Sequence, residues 1–349
     1  MVVGFETEQS KIRLALEVLL DMLANPLFDQ HAYEEELGVV QAEIVSNMSD
    51  TGRFCRRRLR EMLWGGGNHP LSRPPTGEEN DMETWSLDQA TSLYSQIRDH
   101  GSAHVIAVGS FASEEIVGMV NESWRIERIP SLSDGVWKGA DVISPAVTVV
   151  PRGMDVSHIA IGFALPPVDA RSLGLWRLAS SALADGMTST LYEALRFRSS
   201  LAYDVFSRFK FHIDGSELIL EITAPARKAR EALVGALEIL YGDEPFGSGY
   251  SVICAQKRLA TEWCHLIDNP YEYSRLLAQC TACGIEGALA SLFKDAADCS
   301  PEQLAGLFSV QAKAAPLALA FVGPQDETEV ARWLEKAQEQ VSFEWSMRA

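Results

Sequence analysis

Ser86-Leu-Asp-Gln89 and Ser300-Pro-Glu-Gln303 each open a helix, and each helix leads to an apolar run closed by a glycine, Gly109 and Gly323, that lies 23 residues beyond the serine. A serine with glutamine three positions on is a capping box, in which each residue satisfies a backbone N–H of the other. Upstream, Ala15, Leu16, Leu20 and Leu23 recur as Ala232, Leu233, Leu237 and Leu240 at a constant offset of 217. Helix caps recur by chance, but two signals in the same order point to a duplicated α+β unit.

Working outward, the first copy opens on a short β-like stub, Met1 to Phe5, and a helix with Ile12, Leu16, Leu19, Leu20 and Leu23 on one face, stopped at Pro26. Asp29 caps a second helix striped by Tyr33, Leu37, Val40 and Ile44, and helical sequence continues from Arg56 to Trp64. His104 to Phe111 reads as a buried strand. The second copy begins with strands at 146–150 and 157–165, a helix ending near Asp185-Gly186, and a strand pair at 202–213 and 217–223. Helices over 227–241, 249–266, 271–281 and 285–296, a strand from Leu317 to Val322 and a helix over 326–341 complete it. The domains expected are 1–126, a Pro/Ser/Gly/Asp-rich linker at 127–145, and 146–349. About 80 residues precede the helix of Ala232 in its copy, but nine precede the helix starting near Ser10. The first copy is therefore expected to lack its opening strands and first helix, which leaves a sheet edge and an apolar face to be covered.

With 47% hydrophobic and 22% charged residues, the 349-residue chain has ordinary globular composition. No run of 18 apolar residues is present, so no span is expected, and a net charge of −18 disfavours nucleic acid and anionic lipid as partners. Six cysteines in a chain of this length do not form a disulfide framework, and with no leader pattern the default compartment is the reducing cytoplasm.

Four separated stretches resemble the M16 peptidases, the family of insulinase, pitrilysin and the mitochondrial processing peptidase. They are Leu16 to Phe28, Val39-Val-Gln-Ala-Glu-Ile44, His69-Pro-Leu-Ser-Arg-Pro74, and Gly186 to Tyr203. The resemblance implies an α+β fold of two duplicated units with mixed sheets and flanking helices, and peptide hydrolysis with zinc as the cofactor. Family members hold zinc with H-x-x-E-H on a helix and a third ligand, a Glu, roughly 75 residues downstream. By resemblance Glu43 stands at the third-ligand position and Glu36 at that of a supporting carboxylate. Arg196 and Tyr203 stand where the family places an Arg and a Tyr that hold substrate across from the metal. A guanidinium and a phenol suit that task, since both donate hydrogen bonds to a peptide carbonyl. Phe197 replaces the usual acid there, and Ser200 the usual glycine.

Only 42 residues precede Glu43, and no H-x-x-E-H or H-E-x-x-H occurs, so the two His ligands are absent and the chain alone is not expected to bind zinc. His100 and His104 flank Gly-Ser-Ala and read as a turn. Cys280-x-x-Cys283 stands without a second pair, Cys254 and Cys264 read as helical core cysteines, and Arg56 to Arg60 as a solvated helix face pairing with local carboxylates. Three functions fit: a truncated zinc endopeptidase, a peptide-binding non-catalytic subunit of a heteromeric peptidase, or an inactive scaffold with no peptidase role. The expected partners are a peptide and an M16-type subunit carrying H-x-x-E-H, or a second copy in a homo-oligomer.

Overall fold

The computed structural model describes residues 2–65, 69–101, 103–123, 146–285 and 289–347; the expected linker lies outside them. The first half carries α1 (Ile12–Ala24), α2 (Gln30–Ser49), α3 (Thr51–Leu63), α4 (Glu79–Met82), α5 (Leu87–His100) and α6 (Ser113–Ser123). The second carries β1 (Ala146–Pro151), β2 (Val156–Leu165), α7 (Ala170–Ala184), α8 (Thr190–Tyr192), β3 (Asp204–Phe211) and β4 (Ser216–Pro225). It continues through α9 (Ala229–Tyr241), α10 (Tyr250–Ile267), α11 (Pro270–Ala282), α12 (Leu289–Ala297), α13 (Pro301–Gln311), β5 (Ala318–Gly323) and α14 (Glu327–Gln338). This is the α+β class read from the sequence.

The repeat is visible in the helix bounds. α1 and α9 are each 13 residues long and lie 217 apart, while α5 and α13, and α6 and α14, start 214 apart. Both capping boxes form: Ser86 Oγ accepts from Gln89 N and Ser300 Oγ from Gln303 N, each at 3.2 Å. α3 and α11 are also both 13 residues long, 219 apart.

Packing cuts across the two halves of the sequence. One compact unit gathers described residues within 1–45, 76–136 and 265–282, and the other those within 46–75, 137–264 and 283–349. Helix α3 thus belongs to the second unit, and its counterpart α11 to the first.

The second unit is built on a five-stranded sheet in the order β1-β5-β2-β4-β3, with β1 and β5 parallel and the other pairs antiparallel. Its two faces differ in residue size. Val147, Val149, Leu319, Phe321, Ile159, Ile161, Phe163, Leu218, Leu220 and Ile222 share one face, all buried. Phe163 packs against Phe308 of α13, and Phe321 against Trp333 of α14. The other face carries Ala160, Gly162, Ala318 and Ala320 at its centre, and α3 lies on it. Small residues let that helix come close: a Cβ at Gly162 would sit 2.7 Å from Leu63 Cδ1 and 3.0 Å from Leu59 Cδ2. Cys55 donates its thiol to the carbonyls of His158 and Ala320 at 3.4 and 3.3 Å.

Two carboxylates on β4 hold α3 in register. Arg56 Nη1 donates to both oxygens of Glu221, at 2.6 and 2.9 Å, and Arg60 Nε donates to Glu217 at 3.0 Å. Trp64 Nε1 donates to the same Glu217 oxygen at 2.7 Å. Glu217 and Glu221 are buried. Arg57 and Arg58 pair with Glu61 on their own helix, as the sequence suggests, but Arg56 and Arg60 are not on a solvated face, because β4 places two acids four residues apart beneath them. Beyond α3, His69 Nδ1 accepts from Leu71 N, which leaves Nε2 to donate to Asp214 at 2.8 Å and ties the following loop to the β3–β4 turn.

In the first unit, Leu16 and Leu20 of α1 pack on Ile116 and Met119 of α6, and Tyr94 of α5 donates to the carbonyl of Leu23 at 2.7 Å. No strand occurs among the described residues of this unit. The β-like stub and the strand expected over His104 to Phe111 are corrected: residues 103–108 make no ladder, since a strand requires a neighbour to pair with. Cys254 and Cys264 are also corrected; the first is half-buried and the second exposed, so neither is a core cysteine.

Removing one partner of the α3–β4 clamp leaves a buried charge. Glu217→Ala is expected to lower unfolding stability by about 3 kcal/mol, and Arg60→Met with Glu217→Leu to cost less than Glu217→Ala alone, as measured by denaturant unfolding.

Candidate functional site

After α8, the chain widens into a single π-helical turn, Glu193–Arg198, a rare form frequent at functional sites. The carbonyl of Leu195 accepts from both Leu201 N and Ala202 N, at 2.7 and 3.1 Å, and closes the turn. Closure puts Ser200 at φ 51°, the left-handed region that the usual glycine would enter without strain. Lys228 Nζ donates to the Ser200 carbonyl at 2.8 Å and pins it there. Tyr203 N then donates to the carbonyl of Thr223 at 2.7 Å, which fastens the loop to β4.

This loop brings Arg196 and Tyr203 onto one exposed segment. Arg196 lies over the Tyr192 ring at 5.1 Å and meets Asp204 at 3.7 Å. Both members of that ion pair are about half exposed, so water screens it and the guanidinium retains donors for another group. Tyr203 is 57% exposed. Phe197 is 80% exposed, so its ring contributes no packing to the turn. Asp204, Tyr192 and Lys228 were not singled out by sequence reasoning, and only Asp204, beside Tyr203, carries a local signal.

Glu36 and Glu43 both lie on α2 and both are exposed. Seven residues return them to nearly the same helix face, about 10 Å apart along the axis. The stripe Tyr33, Leu37, Val40 and Ile44 turns inward, as its spacing requires. His31, on the same helix, is twelve residues from Glu43, about 18 Å, too far to share a metal ion. Among the described residues, no group of three or more His, Cys, Asp and Glu side chains could hold a metal. The described residues by themselves do not fit a complete zinc site.

A cleft of about 210 Å³ opens at the start of α3 between Asp50, Arg53, Arg56, His158, Arg208 and Glu221. Its charges pair with one another: Arg53 with Asp50, and Arg56 and Arg208 with Glu221. His158 bridges Thr51 and Thr223 at 2.9 and 3.3 Å, and burial lowers its pKa against the opposing pull of Asp50 and Glu221. His212 is likewise lowered by burial.

Residues 84–240 match the family model described as the peptidase M16 inactive domain. The chain is 25% identical over 203 residues to an uncharacterized zinc protease of Streptomyces coelicolor, covering 56% of this chain and 43% of that one. It is 24% identical over 216 residues to one of Mycobacterium tuberculosis, covering 60% of this chain and 48% of that one. The chain thus spans about half the length of the curated relatives it matches. Among solved structures, a protease from Helicobacter pylori matches with a TM-score of 0.79 at 17% identity, over 90% of this chain and 78% of that one. A peptidase M16 inactive domain from Pseudomonas fluorescens matches with a TM-score of 0.76 at 14% identity, over 91% of this chain and 76% of that one.

Ser200→Gly is expected to raise stability by about 1 kcal/mol, read as a higher Tm, because it relieves the left-handed backbone. A histidine with a lowered folded pKa binds fewer protons folded than unfolded, so stability falls as pH drops through the ordinary value near 6.5. Unfolding midpoints between about pH 7 and pH 5.5 are expected to fall, and His158→Gln to flatten that slope.

Proposed function

The chain belongs to the M16 peptidase family, and on that premise we propose that it is a peptide-holding, non-catalytic subunit of a heteromeric M16-type peptidase. The observation that supports this reading is the Arg196–Tyr203 loop. A π-turn, a strained serine and a lysine strut hold two hydrogen-bond donors on one exposed segment. In this role Arg196 Nη1 or Nη2 and the Tyr203 hydroxyl donate to a backbone carbonyl of an extended peptide. The net charge of −18 favours a basic or unfolded polypeptide as the bound species. Glu43 and Glu36 keep a third-ligand and a supporting position on an exposed helix face, but this chain supplies no histidine beside them. Hydrolysis would depend on an H-x-x-E-H helix that these residues do not contain. The truncated endopeptidase is the form this reading takes if that helix lies in the same polypeptide.

A scaffold reading draws on one observation, that Arg196 already has contacts to Tyr192 and Asp204. Anisotropy with a fluorescein-labelled, extended basic peptide separates the two. Arg196→Ala is expected to weaken binding about tenfold and Tyr203→Phe about threefold, as the loss of one charged and one neutral hydrogen bond requires. Unchanged affinity in both variants would leave the scaffold standing.

A further inference from the structure

Helix α3 lies on one face of the sheet, and the edge strand β3 presents alternate residues on that same face. The register sets Lys210 opposite Glu217, Arg208 opposite Ile219 and Phe206 opposite Glu221, and Ile219 packs among the side chains of α3. Four cations, Arg56, Arg60, Arg208 and Lys210, thereby gather around two buried carboxylates, Glu217 and Glu221. The whole chain carries a net charge of −18, yet positive charge is in excess on this part of the sheet.

The two acids do not saturate these cations. Arg60 meets Glu217, and Arg56 bonds both oxygens of Glu221 from Nη1 alone. Arg208 reaches Glu221 only from Nε, at 3.6 Å, which leaves both of its Nη groups to donate elsewhere. Its guanidinium lies over the Phe206 ring at 4.9 Å, a stacking contact that limits its swing. Among the described residues Lys210 forms neither a hydrogen bond nor an ion pair. Partial burial holds its pKa below the ordinary lysine value, and Arg60, Arg56 and Arg208 add to that effect against the pull of Glu217. Arg53, Arg56 and Arg208 all line the cleft of about 210 Å³ at the start of α3, whose lining residues belong to the second unit throughout. His158 in its wall has both ring nitrogens engaged by Thr51 and Thr223, so the charge of the cleft is that of its arginines, Asp50 and Glu221. Three guanidinium groups facing two carboxylates leave one positive charge without a counterpart.

We infer that this cleft is a binding site for a small oxyanion, a phosphate or a short carboxylate, held by Arg56 and Arg208 and attracted by Lys210. The guanidinium fork matches two oxygens of either group, and bonds in which both partners are charged are the strong ones. A phosphate or a short carboxylate, a few times the ~30 Å³ of a water molecule, fits the volume. Lys210 follows Arg208 by two residues on the same face, so it adds to the field at the cleft without lining it. The site rests on residues of α3, β3 and β4, and not on the peptide-holding role of Arg196 and Tyr203.

Isothermal titration calorimetry of the full chain at low salt and near neutral pH tests it, with inorganic phosphate and, separately, succinate as probes. At least one of them is expected to bind at one site per chain with a Kd of about 1 mM or tighter. Arg208→Ala is expected to weaken that binding about tenfold or more, and Lys210→Gln about threefold. Arg208→Lys keeps the charge without the fork, and its affinity is expected to fall between those of the unaltered chain and Arg208→Ala. Lys336→Gln removes an exposed charge on α14 and is expected to leave affinity unchanged. Binding of phosphate alone assigns the site to a tetrahedral anion, and binding of succinate alone to a carboxylate; either upholds the proposal. No binding of either anion up to about 10 mM overturns it. So does an affinity that falls no further in Arg208→Ala than in Lys336→Gln. Arg208 and Lys210 are exposed, and the milder Arg208→Lys and Lys210→Gln variants keep the test decisive if Arg208→Ala fails to fold. Failure here leaves peptide binding by Arg196 and Tyr203 to be judged on its own assay.

Discussion

Helix α3 can rest on its sheet only because the strands beneath it carry alanine and glycine where their other face carries leucine, isoleucine and phenylalanine. Close approach buries Leu59 and Leu63 fully or nearly so, and it also buries Glu217 and Glu221, whose desolvation is costly. Arg56, Arg60 and the Trp64 indole offset that cost by meeting the two carboxylates directly. An ion pair of this kind contributes less net stability than apolar groups of the same shape would. What it adds is register: a helix slid by the turn that sets Gly52 where Arg56 lies would leave the buried Glu221 without that partner.

That register has a consequence for how the chain is divided. Residues 46–75 come before the expected linker yet pack with the sheet formed after it, and residues 265–282 are gathered with the first unit. Each sequence half therefore gives one 13-residue helix, α3 or α11, to the other's compact unit. A duplicated unit that exchanges equivalent helices in this way cannot be cut at a single peptide bond into two independently packed pieces.

The Arg196–Tyr203 loop shows a different economy. Its turn is closed by one carbonyl accepting two N–H groups, and the backbone strain falls on Ser200, where a lysine fixes the carbonyl. Strain of this sort persists only where the surroundings over-determine it, and here those surroundings are β4, α8 and Lys228. As a result two donors seven residues apart emerge from one braced segment, the preorganisation that the proposed peptide-holding role requires.

Helices were legible from the sequence wherever the signal was local. The capping boxes at Ser86 and Ser300, the stripes of α1 and α2, and the matched lengths of α1 and α9 all rest on contacts within four residues, which spacing encodes directly. Arg196 and Tyr203 were singled out by resemblance to a family, not by a local signal of this kind. Within the basic run, Arg57 and Arg58 were read correctly as pairing with a local carboxylate, Glu61, but Arg56 and Arg60 were misread because their acids lie some 160 residues downstream, on the face of β4. Apolar composition over 104–109 announced a strand, but composition cannot supply the neighbours that strand hydrogen bonds require. What the sequence determined by itself was the duplicated helical frame. Which half each helix joined, which charges were buried and which apolar run formed a strand were decided only by tertiary structure, because each depends on groups far apart along the chain.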